Sequence, residues 1–141
     1  MRRVISKISL FLCVLMIAAA GCSMASGDDR KVIEVSREGS LKIINHLESM
    51  NTAHGSALQY HLTSVQELAT EYNAKLAPLK PETGSMISLK AIEVRFFTNA
   101  NLWAKYYQDY LSSGSSSDLD KANLYKAKMM TAIDDFNSLE I

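Results

Sequence analysis

LKAIEVRFFTNANLWAKYYQDY, residues 89–110, is the stretch on which the fold turns. Leu89, Ile92, Phe96, Ala100, Trp103, Tyr107 and Tyr110 recur at steps of three or four, the period of an α-helix, and Val94, Phe97, Leu102 and Tyr106 widen that stripe. The run is too long and too regular in that period for a strand, and a helix this apolar belongs at the centre of its domain. Downstream, SSGSSSD at 112–118 is a turn cluster in which Ser117 or Asp118 can cap the next helix. That helix carries Leu119, Ala122, Tyr125, Met129, Ala132, Ile133, Phe136 and Leu139 on one face. Upstream, Pro78 and Pro81 bracket a connection, and Pro81-Glu82 suits a first helical turn, where proline forfeits only an orphan donor.

Further toward the N-terminus, Leu58, Leu62, Val65, Leu68, Ala69, Tyr72 and Leu76 form another helical stripe, and Val32, Val35, Gly39, Ile43, Leu47 and Met50 form one before it. Val32-Ile33-Glu34-Val35 also suits a short extended segment, but the spacing favours helix. Between these stripes lies NTAHGS, residues 51–56, rich in helix-disfavouring residues. Without a break there, one helix from Asp28 to Leu76 would be ~73 Å long, far longer than any partner downstream. The sequence therefore predicts an all-α fold, an antiparallel up-and-down bundle of four helices over residues 30–141, or of three if the first two are continuous.

Composition agrees with a single packed domain: 141 residues, 48% hydrophobic and 21% charged. The formal charge of zero hides an asymmetry. Arg2, Arg3 and Lys7 precede the first acidic residue, Asp28, so that without them 12 basic side chains face 15 acidic ones. A mildly acidic domain offers no electrostatic basis for binding nucleic acid.

The N-terminus has a basic start, an apolar run from Ile8 to Ala20, and then Ala19-Ala20-Gly21-Cys22. The run is about a dozen residues, against the roughly 20 needed to cross a bilayer, and reads as a cleavable leader. With Cys13 inside that leader, the remaining chain keeps one cysteine, Cys22, and can form no internal disulfide. Ala20-Gly21-Cys22 resembles the lipobox of bacterial lipoproteins, in which small residues precede a cysteine that receives a diacylglycerol group. The position three before the cysteine, usually leucine, is Ala19 here. The alternative is an ordinary signal peptide cut after Ala20, Gly21 or Ala25. The lipobox resemblance implies a signal peptide over 1–21, lipidation of Cys22, and a flexible tether to about residue 29. It also implies a domain held by its lipid at the extracytoplasmic face of the cell membrane. Ser23 after the cysteine leaves the outer membrane open if the cell has two. Leu76–Leu139, with its two prolines, aromatic helix, Ser/Gly turn and Asp118-Leu119-Asp120-Lys121-Ala122 opening, is similar to the helical hairpin of small uncharacterised lipoproteins of Gram-positive bacteria. That family lends no activity.

Chemistry-bearing patterns are sparse. His46, His54 and His61 are eight and seven residues apart, ~12 and ~10 Å along one helix axis, too far to share an ion bound at about 2.0–2.1 Å. No metal and no cofactor are expected, unless a site is assembled across helices. Glu67/Glu71 and Asp134/Asp135 fall on polar faces, and no nucleophile motif lies in the domain. Phe96, Trp103, Tyr107 and Tyr110 read as core. Phe97 and Tyr106 point partly away from that stripe, so Phe97, Trp103 and Tyr106 are the candidate interaction surface. The expectation is a non-enzymatic, membrane-anchored helical module that binds another envelope protein, peptide or glycan. The alternatives are a metal- or haem-binding bundle and a lipoprotein of phage exclusion or toxin protection.

Overall fold

The computed structural model describes residues 27–139. The leader, Cys22 and the tether as far as Ser26 lie outside the described residues. Among the described residues four helices follow one another: α1 (Gly27–Ser49), α2 (Ser56–Leu76), α3 (Gly84–Ser113) and α4 (Ser116–Asn137). Among the described residues no helix is long and apolar enough to cross a membrane.

The break between α1 and α2 forms where the composition asked for one. Gly55 takes a positive φ of 55°, a backbone state that costs a side-chain-bearing residue about 1–2 kcal/mol and glycine almost nothing. Gly55 precedes the first turn of α2, whereas Gly114 ends α3 in the left-handed conformation at φ 69°, its N–H donating to the Tyr110 carbonyl at 2.8 Å.

Two helix starts differ from the sequence reading. α3 begins at Gly84 after Thr83, and Pro81 lies before it in an extended connection. The reason is tertiary: the backbone N–H of Lys80 donates to Asp28 Oδ2 at 2.9 Å, and that of Glu82 to Asp29 Oδ1 at 2.8 Å. These bonds clasp the connection onto the start of α1, where Asp28 and Asp29 also oppose the positive end of the helix dipole. Both aspartates are thus folded into α1, in place of the last residues of a tether. α4 begins at Ser116 after Ser115, ahead of Ser117 and Asp118. Ser113 Oγ organises this turn, accepting from Ser115 N at 3.1 Å and donating to Asp118 Oδ2 at 3.3 Å.

α3 occupies the centre, packing with α1, α2 and α4, whereas among the described residues α4 packs on α3 alone. The core is drawn from all four helices: Val32, Ile43 and Ile44; Leu62, Val65, Tyr72 and Leu76; Leu89, Phe96 and Phe97; Ile133 and Phe136. Each such side chain contributes about 1.5–3 kcal/mol when fully buried. On α1 the small residues Ser36, Gly39 and Ser40 are buried at the contact. A Cβ at Gly39 would lie 2.6 Å from Tyr72 Cγ and 2.7 Å from Phe97 Cζ, so only glycine permits this approach.

Candidate functional site

The register of α1 against α3 determines which part of α3 is left uncovered. Glu82 binds Asp29, and Ser40 binds Glu93, both across 53 positions. The two helices therefore run parallel at a constant offset, and α1, ending at Ser49, stops level with Leu102 of α3. From Trp103 onward the stripe that continues Leu89, Ile92 and Phe96 has no α1 beside it.

The rings on that stripe stack on one another. Trp103 and Tyr107 lie 6.0 Å apart with planes at 10°, and Tyr107 and Tyr110 lie 6.1 Å apart at 29°. Trp103 and Tyr107 rest against the core, and all three keep part of their surface in solvent. Tyr106 is half-buried too, and stacks on Tyr125 of α4 at 5.5 Å and 3°. Lys105 and Lys121 sit over the Tyr106 ring at 4.7 and 5.1 Å, and Lys128 over Tyr125 at 5.1 Å. Exposed cation–π contacts of this kind contribute about 0.5–1 kcal/mol each. Leu111 and Tyr60 are exposed.

Phe97 does not belong to this surface. It is fully buried, in edge contact with Phe96 at 5.5 Å and tilted against Tyr72 at 6.0 Å. A single-stripe reading places it at the margin, but a central helix is covered from several sides, and Glu93 toward α1 and Phe97 toward Tyr72 of α2 are buried as well. Of the three proposed surface residues, Trp103 and Tyr106 are at the surface and Phe97 is core. Tyr107, Tyr110 and Tyr125 join them. Tyr125 was legible only as part of the α4 stripe.

The carboxylate pairs on the polar faces are solvated, as amphipathic patterning implies: Glu71 pairs with Lys75 at 2.6 Å and Asp135 with Arg95 at 2.9 Å, the four side chains being 42–53% exposed. A different carboxyl is buried. Glu93 is wholly enclosed between α3 and α1, where Ser40 Oγ donates to its Oε2 at 2.9 Å. Its Oε1 and the buried Ser36 Oγ have no hydrogen-bond partner among the described residues. Burial pushes the Glu93 carboxyl up to about 8, and the Ser40 hydroxyl only partly opposes that rise. It is therefore mainly a neutral acid at pH 7. On the rim of the same contact, Lys42 Nζ bridges Glu38 Oε1 at 2.6 Å and the Tyr72 hydroxyl at 2.9 Å, holding Glu38 below the usual carboxylate range.

The histidines also change meaning in three dimensions. The α1–α2 turn folds His61 back against His46, bringing their Nδ1 atoms to 2.9 Å, with the Tyr60 ring in edge contact with both. Burial, and then the neighbouring His61, lower the proton affinity of His46. His54 stays exposed in the turn. Among the described residues no group of three or more histidines, cysteines or acidic residues is gathered for a metal ion.

Comparison with protein-family models, curated proteins and solved structures gives no match.

Proposed function

We propose that this chain is an extracytoplasmic lipoprotein, held to the membrane through a lipid on Cys22, whose bundle is a non-enzymatic module for binding another envelope component. The observation that carries the binding role is the set of stacked, half-exposed rings Trp103, Tyr107 and Tyr110 on α3 beyond the end of α1. Aromatic rings bury large area at low entropic cost and dominate recognition surfaces when they are left partly in water. The leader and the Ala-Gly-Cys motif support the anchor. Cys22 precedes the start of α1 by five positions, and the clasp of Asp28 and Asp29 ties that start to the 80–82 connection. Tyr107 lies 23 residues along α3 from its start at Gly84, about 35 Å at 1.5 Å per residue. An anchor at Cys22 thus leaves the ring surface at the end of the bundle away from the lipid.

Two experiments test this reading. Cys22→Ala is expected to move the protein from the membrane to soluble fractions or leave it unprocessed, and membrane retention with normal processing would contradict the anchor. A photo-crosslinking amino acid at position 106 in intact cells is expected to trap a discrete envelope partner, with the product reduced by Trp103→Ala. A crosslinking pattern indifferent to Trp103 would contradict the binding surface.

A further inference from the structure

We propose that His46 and His61 form a two-histidine chelate for a borderline divalent transition-metal ion such as zinc, nickel or copper(II), with the remaining coordination positions open to an external donor. This stands independently of the aromatic surface.

The argument begins with the helices. His46 is in the last turn of α1 and His61 in the second turn of α2, joined by a connection of only six residues, 50–55. Each imidazole is therefore fixed by a separate rigid element, and the two Nδ1 atoms converge to 2.9 Å. The ring centres lie 5.2 Å apart, so the two imidazoles meet head-on, and pivoting each by about 35° about its centre would open the Nδ1 atoms by about 0.4 Å and aim both at an ion about 2.05 Å from each, at the tetrahedral angle of zinc.

The protonation chemistry is favourable as well. Two neutral imidazoles facing each other through Nδ1 must share one N–H donor and one lone pair. Moving the donor's proton to its own Nε2 leaves both rings neutral with a lone pair on each Nδ1, without net proton release. Burial already favours the neutral form of His46, which is the form that ligates metal. The absence of a third histidine, cysteine or carboxylate beside the pair, among the described residues, leaves at least two positions for water or a donor from another molecule. The spacing along one helix hides this pair, because the turn at Gly55 brings together residues fifteen positions apart.

The test uses the full chain purified in detergent, with its thiols alkylated to remove competing ligands. Titration with copper(II) and zinc, followed by calorimetry and by electron paramagnetic resonance for copper, is expected to show one ion per chain, copper tighter than zinc. His46→Ala and His61→Asn should each weaken binding at least tenfold while circular dichroism shows helicity retained, and His54→Ala should leave affinity unchanged. Binding that survives both substitutions, depends equally on His54, or never saturates at one equivalent overturns the proposal. In the unaltered chain, zinc-induced shifts of imidazole nitrogen resonances should fall on His46 and His61. Shifts at neither overturn it without recourse to any variant.

Discussion

Replacing Glu93 by glutamine isolates the energetic consequence of enclosing an acid between α1 and α3. In the unfolded chain this carboxyl titrates near 4.5, and in the bundle burial raises it to about 8. A raised carboxyl gives stability that is fully present below the unfolded value and is lost as pH climbs toward the folded one. Across that window the unfolded chain releases a proton that the folded chain keeps, and each pH unit costs about 1.4 kcal/mol. By pH 7 the accumulated loss is about 3 kcal/mol, a large share of the roughly 5–15 kcal/mol that stabilises an ordinary domain. Glutamine keeps the shape and an acceptor for Ser40 but has no proton to lose, so Glu93→Gln should match the parent within about 1 kcal/mol at pH 4.5 and exceed it by about 3 kcal/mol at pH 7. Chemical denaturation followed by far-ultraviolet circular dichroism, repeated from pH 4.5 to 8, measures the difference. The reasoning is refuted if the gap between the two proteins does not widen with pH.

Other substitutions probe other parts of the molecule. Gly39→Ala drives a methyl group into Tyr72 and Phe97 and is expected to cost about 1–3 kcal/mol, seen as a lower denaturation midpoint at unchanged slope. Phe97→Ala should cost about 3–5 kcal/mol and Tyr106→Ala much less, a contrast that vanishes if both rings are equally exposed. His46 is held below its ordinary value of 6.5, so its neutral form is favoured by folding and stability falls as pH drops below that point; His46→Gln should flatten this acid-side loss in thermal melts.

The site was less legible than the fold. Helical phase sets Tyr106 off the central stripe and Trp103 on it, because phase tells which side of a helix a ring occupies, and the structure leaves both half-buried. Phase does not tell how many neighbours the helix has, and Phe97 was misplaced for that reason: α3 packs with three helices, so its buried arc is wider than one stripe. Glu93 left no sign in the sequence, since a glutamate between Ile92 and Val94 looks like an ordinary charge at the edge of an apolar face. Its enclosure follows from the close approach of another helix, whose Ser40 hydroxyl meets it. His46 and His61 were set apart by distance along one axis, a measure that fails once the chain reverses between them.

The residues by themselves determined the helical class and the places where the chain can turn, leaving open whether residues 51–56 divide the first helix in two. Those properties depend on local period, on the lack of side chains at Gly55 and Gly114, and on a central stripe apolar enough to demand burial. Tertiary structure alone decided the register of α1 beside α3. That register encloses Glu93, closes Phe97 over Gly39, leaves Trp103, Tyr107 and Tyr110 half in water and, with the reversal at Gly55, brings two distant imidazoles together. Register is a contest between whole faces separated by some fifty residues, and no short window of sequence contains both contestants.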